Sequence, residues 1–160
     1  MAKQYRVNAF VRINNLIISS LLRLGIRMGS FALLIVRGRK SGKPIETPIA
    51  IFVQEGKSYL LTPYGIVNWV RNLRAAGGEA NITRSRHTEK ICAVELPPEA
   101  AAPILREAVR SGPPGIPAVL VRVYRTFFVL PYLNITVDSS LEEYEREVQT
   151  HPVFLLQYSM

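Results

Sequence analysis

The sequence has few of the side chains that most often bind metals or attack substrates. Its 160 residues include one cysteine, Cys92, and two histidines, His87 and His151. A single cysteine excludes an intramolecular disulfide, which favours a reducing compartment such as the cytoplasm. One thiol and two histidines that are far apart in the sequence argue against a structural zinc site. We therefore expect no bound metal.

Several catalytic signatures are also missing. The chain has no Gly-x-Ser-x-Gly elbow, and neither His87 nor His151 has a carboxylate in an obvious pairing, so nothing indicates a hydrolase. It also lacks a P-loop and a Gly-x-Gly-x-x-Gly fingerprint, which are the common nucleotide-binding signatures. The glutamates near the carboxyl end are expected to form a solvated helix face; they are Glu142, Glu143, Glu145 and Glu147.

Acidic residues are absent from the first 45 positions. Residues 1–45 carry nine basic side chains and no acidic ones, a charge of +9, whereas residues 46–160 have a net charge of −1. The whole-chain charge of +8 therefore belongs to one end of the sequence. An anionic partner is expected to meet that end.

The apolar segment near the amino terminus is too short to cross a membrane. Residues 16–22 are followed by Arg23, which leaves them well short of the roughly 20 apolar residues that a span needs. No small-x-small cleavage site follows them, as a secretory signal would require.

The spacing of apolar residues instead predicts an amphipathic helix over residues 3–24. Apolar side chains recur at intervals of three or four, while three arginines fall on a different face. The two sets are Phe10, Ile13, Ile17, Leu21, Leu24 and Met28, and Arg12, Arg23 and Arg27. Such a helix either covers the core of the domain or lies in a membrane interface with its arginines toward anionic headgroups. Both interpretations fit the pattern equally well.

Alternating apolar residues and turn signals predict five strands and three further helices. The strands are at residues 31–36, 44–54, 57–62, 79–85 and 88–96, and the helices at residues 68–76, 99–110 and 141–149. An apolar, aromatic stretch at 118–133 has no assigned structure, and the chain ends in a tail from 151. Strands mostly joined as hairpins, with helices inserted between them, predict a small antiparallel barrel of the α+β class.

A tight basic turn separates the first two predicted strands. We call it the cationic turn, and it consists of Arg39, Lys40, Ser41, Gly42 and Lys43. Its cations, its hydroxyl and the backbone N–H groups beside a glycine suit a phosphate or a carboxylate. The same composition would serve a solvated hairpin loop that is basic only for solubility. The turn by itself favours neither interpretation.

Four stretches of the sequence resemble the deazaflavin (F420)-dependent nitroreductase family. They are GRKSGKPIETP at residues 38–48, YLLTPYG at 59–65, NWVRNLRA at 68–75 and HPVF at 151–154. The similarity spans roughly residues 31–154, and the ordered set is far more specific than any single motif.

The resemblance implies a fold and an activity. It implies a split β-barrel of the FMN-binding type, mainly antiparallel, with an amphipathic amino-terminal helix at residues 1–28 and one cofactor-binding domain at residues 29–160. It implies hydride transfer from reduced coenzyme F420, a deazaflavin with a phosphate and an oligoglutamate tail. The acceptor would be a nitro compound, a quinone or an activated alkene.

The resemblance also assigns site residues by position. The cationic turn would hold the phosphate and the tail carboxylates of F420, because charge-assisted hydrogen bonds suit lysine and arginine to that role. Thr47 and Pro48 would line the ring pocket. The opposite wall would be a segment that we call the tyrosine loop: Thr62, Pro63, Tyr64 and Gly65.

Two more sets of residues follow from the same comparison. The loop would be supported at the start of a helix by Asn68, Trp69 and Asn72. The candidates for binding the acceptor or donating a proton to it are Tyr64, Tyr124 and Tyr132.

The sequence departs from the family at two positions. Ile45 stands where many members carry arginine, and Thr47 where they carry asparagine. FMN therefore stays open as the alternative cofactor. A non-enzymatic lipid or fatty-acid carrier on the same barrel stays open as the alternative function, since the helix at 3–24 and the stretch at 118–133 could hold such a ligand.

The expected partners are a small-molecule acceptor and an anionic membrane surface. The amphipathic segment would place the protein in the cytoplasm, peripherally on the inner face of the plasma membrane. No nucleic acid is expected, because the amino-terminal basic residues lie on an apolar helix with few aromatic side chains to stack on bases. The sequence makes no prediction of the oligomeric state.

Overall fold

The computed structural model describes residues 2–4, 6, 8–112 and 117–159. Six strands lie among them. Five of these strands were predicted, and both ends of each lie within two residues of the predicted ends. The six strands are β1 (Phe31–Arg37), β2 (Pro44–Gln54), β3 (Lys57–Leu61), β4 (Glu79–Arg84), β5 (His87–Glu95) and β6 (Val153–Tyr158). They form a closed barrel in the order β1-β2-β3-β6-β5-β4. The predicted antiparallel barrel of the α+β class is thus confirmed.

Hairpins account for the part of the barrel that the sequence predicted. β1 runs antiparallel to β2, with Phe31 opposite Ala50 and Arg37 opposite Pro44. The other edge of β1 pairs with β4, which in turn forms a hairpin with β5. Because β1 lies between two partners, the short apolar run of this strand is almost entirely buried.

The sixth strand was not predicted. The sequence indicated only a tail from 151, yet β6 pairs antiparallel with β3, with Leu60 opposite Phe154. Val153 and Phe154 are buried. This pairing joins residues that are far apart in the chain, so no turn signal marks it.

Five α-helices lie among the described residues. They are α1 (Ala9–Arg23), α2 (Asn68–Ala75), α3 (Pro98–Ser111), α4 (Ala118–Tyr124) and α5 (Leu141–Glu147). The aromatic stretch is helical as far as Tyr132: α4 continues as a π-helical turn at Arg125–Val129 and a 3₁₀ turn at Leu130–Tyr132. Ser140 and Glu143 form a capping box at the start of α5.

The first helix begins later than predicted. Asn8 caps it by accepting a hydrogen bond from the Val11 N–H over 2.9 Å. Residues 2–4 are not helical: the Ala2 N–H donates to Asn134 and the Lys3 N–H to the Pro131 carbonyl. Residues 5 and 7 of the predicted helix lie outside the described residues. In the part of the chain that is described, no helix is long and apolar enough to span a membrane.

The chain divides into two compact units. The first consists mainly of Phe52–Ile66 and Glu95–Leu155, and the second of Arg6–Ile51, Val67–Val94 and the last residues from 156. In the first unit, α3 and α5 pack together over an apolar core that includes Leu105, Tyr144 and Val153. In the second unit, the core is built from β1, β4, β5 and α2, and its buried side chains include Leu33, Leu34, Val70, Leu73, Ile82 and Ile91. A single domain at residues 29–160 stays a prediction.

Candidate cofactor-binding site

The cationic turn, in the second unit, is closed by hydrogen bonds of its own backbone. The Gly38 N–H donates to the Lys43 carbonyl, and the Gly42 N–H donates to the Gly38 carbonyl, both over 2.8 Å. The Lys43 N–H also donates to the Ser41 hydroxyl oxygen over 3.2 Å. Gly42 has a φ of 68°, which favours glycine. The turn is therefore tight and locally determined.

Two lysines of this turn project into solvent. Lys40 and Lys43 are both exposed. Among the residues that the structure describes, neither of them forms an ion pair with a carboxylate. Because no carboxylate of the described residues compensates their charges, both can bind an external anion.

Arg39, by contrast, is held in place by two asparagines of α2. Its Nη1 and its backbone N–H both donate to Asn72 Oδ1, over 2.7 and 3.3 Å. Its Nη2 donates to Asn68 Oδ1 over 3.4 Å. Asn68 and Asn72 are four residues apart, so they lie on one face of the helix. The resemblance assigns these asparagines to the tyrosine loop, whereas the hydrogen bonds observed here attach the cationic turn to α2.

This geometry predicts unequal effects for the two asparagines. Asn72 is only 3% exposed, so Asn72→Ala removes a buried acceptor of a charged donor and should lower the free energy of unfolding by about 1.5–3 kcal/mol. Asn68→Ala removes a longer hydrogen bond at an exposed position, and it should lower the free energy of unfolding by less than about 1 kcal/mol. Urea unfolding followed by the fluorescence of Trp69, the only tryptophan, measures both. Equal losses would contradict the assigned role of Asn72.

Three other predicted site residues lie in the second unit. Thr47 and Pro48 are half-buried on β2, opposite two leucines of β1. Trp69 is half-buried on α2, whereas Val70 and Leu73 of the same helix are fully buried. Their roles toward a cofactor stay predictions.

The tyrosine loop belongs to the first unit, where its ends are fixed. The Thr62 hydroxyl donates to the Pro152 carbonyl over 2.9 Å, and Thr62 is only 2% exposed. The Gly65 N–H donates back to the Thr62 carbonyl over 2.9 Å, and Gly65 has a φ of 78°. Pro63 and Tyr64, between these anchors, are half-buried. The loop is therefore held against the segment that leads into β6.

Two of the three predicted catalytic tyrosines are brought together. The ring centroids of Tyr64 and Tyr132 are 5.0 Å apart at an interplanar angle of 89°. Such an edge-to-face contact is favourable and orients the two rings relative to each other. The third candidate, Tyr124, lies on α4 and is 43% exposed.

The first unit also contains a buried carboxylate–histidine pair. Glu147 Oε1 lies 3.1 Å from His151 Nδ1, and the two side chains are 6% and 9% exposed. The Asn134 N–H donates to the same carboxylate oxygen over 3.0 Å. Burial by itself would raise the pKa of Glu147, but the hydrogen bonds from His151 and Asn134 and the attraction to His151 bring that pKa below its ordinary value.

Two sequence expectations are wrong at this pair. His151 does have a carboxylate partner, and Glu147 is not on a solvated helix face. The signal that could have found the pair is its four-residue spacing at the end of a helix. His87 lies 3.7 Å from Glu89, but both side chains are largely exposed.

These features define a class of protein. A closed antiparallel barrel with an exposed cationic turn can bind an anionic cofactor, and a cofactor can supply redox chemistry that the side chains lack. The family model of F420H2-dependent quinone reductases matches residues 8–129, and the chain belongs to this family. It is an oxidoreductase that uses coenzyme F420. The predicted enzyme class and cofactor are confirmed, and the carrier and FMN alternatives are set aside.

Solved structures are similar to the chain at low sequence identity. A domain-swapped dimer is 19% identical with a TM-score of 0.52, over 92% of this chain and 97% of its own. An F420-H2 dependent reductase is 20% identical with a TM-score of 0.48, over 80% and 94%. A FAD-binding protein from Mesorhizobium loti is 13% identical with a TM-score of 0.47, over 96% and 91%. Among curated proteins, none matches the chain.

The donor set of the cationic turn fits the anionic tail of F420. A phosphate and several carboxylates require cations and hydrogen-bond donors at an accessible position. Lys40 and Lys43 provide uncompensated charges there, and Ser41 adds a hydroxyl. Arg39 adds a third cation whose orientation is set by Asn72.

Proposed function

We propose that this protein transfers a hydride from reduced F420 to a quinone at the inner face of the plasma membrane. The observation that carries the proposal is the uncompensated lysine pair of the cationic turn, in a chain of the F420H2-dependent quinone reductase family. Reduced F420 supplies the hydride when it is bound. The protein supplies binding, orientation and a proton donor.

The proposed roles of the residues follow their positions. In the second unit, the cationic turn binds the phosphate and carboxylates of F420. In the first unit, the tyrosine loop contacts the deazaflavin ring. A quinone that receives a hydride gains a negative oxygen, and a tyrosine hydroxyl can donate a hydrogen bond or a proton to it. The paired rings of Tyr64 and Tyr132 favour these two for that task.

A hydroxyl deletion tests this assignment. We expect Tyr64→Phe to lower kcat with F420H2 and a naphthoquinone about tenfold, because a hydrogen bond to a developing charge is lost while the ring contact is kept. The KM for F420H2 should change little. Tyr158→Phe, at an exposed tyrosine of β6, is the matched control. A nitroaromatic acceptor turned over faster than the naphthoquinone would contradict the quinone assignment.

The membrane part of the proposal rests on the exposed stripe of α1. Phe10 is 77% exposed, Ile13 58% and Ile17 54%, whereas Ser19 and Leu22 face the interior. The apolar side chains of α1, which could have covered the core of the domain, are therefore exposed to solvent along much of the helix. A row of large apolar side chains beside basic residues matches the interface of an anionic bilayer.

The arginines near this stripe are not equivalent. Arg23 pairs with Glu46, and Arg27 donates through Nε to the Ser85 hydroxyl over 3.1 Å. Arg12 is exposed. Arg27 also lines a groove of about 520 Å³ whose lining mixes apolar and charged side chains; it includes Leu22, Ile26, Phe31, Arg27, Arg84 and Glu89. The two arginines of this groove support contact with anionic headgroups.

Vesicle flotation tests the membrane proposal. The full chain should float with anionic vesicles and much less with neutral ones, since each arginine near an anionic surface contributes about 1 kcal/mol. The double variant Phe10→Ser with Ile13→Ser should reduce binding at least about tenfold, because two apolar side chains no longer insert. Val53→Ser with Val94→Ser, at exposed valines elsewhere, is the control. Equal flotation of both double variants would refute insertion by α1.

A further inference from the structure

The helix α4 and the turn that follows it leave a row of large apolar side chains exposed. We call this row the α4 face, and it consists of Val119, Leu120, Val123, Tyr124 and Phe127. Val119 is 72% exposed and Phe127 68%. The spacing of three or four residues places the row on one side of the helix, while buried Val121 lies on the opposite side. An exposed apolar patch of this kind marks a surface that contacts a protein or a membrane.

The charges around the α4 face are all positive. Between Glu107 and Asp138 the sequence contains three arginines and no acidic residue. Arg122 is exposed and follows Val119 by three residues, which places it at the edge of the face. The other two arginines donate to backbone carbonyls: Arg110 Nε to Val137 over 3.2 Å, and Arg125 Nη1 to Val109 over 3.0 Å. Among the described residues, none of the three forms an ion pair with a carboxylate.

This charge pattern favours a lipid surface over a second copy of the chain. In a symmetric dimer formed through the α4 face, the same patch would face itself, so arginines would meet arginines without a carboxylate to pair with. An anionic bilayer instead accepts apolar side chains and attracts arginines to its headgroups. Arginine suits that position because its stem packs on apolar groups while its guanidinium stays in water. Tyrosine is enriched at the same depth, where its hydroxyl remains hydrated.

We propose that α4 is a second membrane-inserting element, whose exposed face enters the interface of an anionic bilayer with Arg122 at the headgroups. The inference extends the proposed membrane location. It stands on residues of the first unit, however, whereas the apolar stripe of α1 belongs to the second unit. The two elements are therefore tested by separate substitutions.

A double substitution on the α4 face tests the proposal. Leu120→Gln with Phe127→Gln should lower the partition coefficient for vesicles of phosphatidylglycerol and phosphatidylcholine at least about tenfold, because two apolar side chains no longer insert. Glutamine is a good helix former, so the melting temperature should change little. Val53→Gln with Val94→Gln, at exposed valines outside the α4 face, is the matched control. Equal partitioning of the two double variants would overturn the inference.

The same assay distinguishes this inference from the proposal for α1. If only the α1 variant, Phe10→Ser with Ile13→Ser, loses binding, α4 does not insert and the inference is wrong. If only the α4 variant loses binding, the inference stands and insertion by α1 is refuted. Losses in both variants would support both elements. A wild-type chain that does not bind these vesicles would overturn both.

A fluorescent reporter on the α4 face gives a second test that keeps the face apolar. Phe127→Trp adds a tryptophan to Trp69, so the wild-type protein supplies the reference signal. Vesicles with brominated acyl chains should quench the variant more strongly than the wild type and shift its emission to shorter wavelength. Equal quenching would contradict insertion. Sedimentation without lipid completes the test: a dimer that Leu120→Gln with Phe127→Gln dissociates would assign the face to a second copy and overturn the inference.

Discussion

Replacing Lys40 and Lys43 together with alanine is expected to weaken F420 binding at least tenfold and to leave the protein folded. Each charge-assisted hydrogen bond to an anion contributes about 1.5–3 kcal/mol, and about 1.4 kcal/mol corresponds to one decade in Kd. Both lysines are exposed and without a carboxylate partner among the described residues, so their loss should cost less than about 0.5 kcal/mol of stability. Fluorescence titration with F420 and thermal unfolding measure the two effects separately.

The control for this experiment removes the same charge elsewhere. Lys57 and Lys90 are exposed on β3 and β5, and Lys57→Ala with Lys90→Ala lowers the net charge by the same amount. If the weaker binding came only from the lower net charge of the protein, both double variants would bind F420 equally weakly. High salt should weaken the wild-type complex too, because exposed charges are screened. Unchanged affinity in the Lys40 and Lys43 variant would make the turn a solvated loop.

Gly78→Ala is expected to destabilise the fold by about 3–5 kcal/mol, which corresponds to a fall in Tm of roughly 6–20 °C. Gly78 lies between α2 and β4 with a φ of 84°. A Cβ there would be 2.3 Å from the Ala93 carbonyl oxygen, a backbone atom of β5 that cannot move without breaking the barrel. The Ala93 N–H also donates to the Gly78 carbonyl over 2.8 Å, which holds the backbone of Gly78 close to β5.

A variant of the neighbouring glycine, Gly77, distinguishes the effect of close packing at Gly78 from the effect of backbone strain. Gly77 also has a positive φ, of 63°, but a Cβ there would meet no atom within 4 Å. Gly77→Ala should therefore lower the free energy of unfolding only by the strain of the left-handed backbone, about 1 kcal/mol. Urea unfolding followed by Trp69 fluorescence compares the two variants. Similar losses would mean that strain alone, and not contact with β5, requires glycine at residue 78.

The cationic turn shows what local sequence can predict. Its position between two apolar strands, its closure around Gly42 and the exposure of its lysines all follow from residues within one hairpin. The β4–β5 hairpin and the helix α5 were predicted for the same reason. In each case the signal and the structure involve neighbouring residues, so apolar periodicity and turn chemistry suffice.

Other assignments needed contacts that no local pattern contains. The sequence alone determined the family, the cofactor, the hairpins and the concentration of positive charge in one part of the chain. Only the tertiary structure placed Asn72 on Arg39, added β6 beside β3 and buried Glu147 with His151. It also left the apolar stripe of α1 exposed, where the pattern fitted a buried face equally well. Periodicity shows which residues share a face, but the neighbour that covers that face is set by long-range packing and hydrogen bonding.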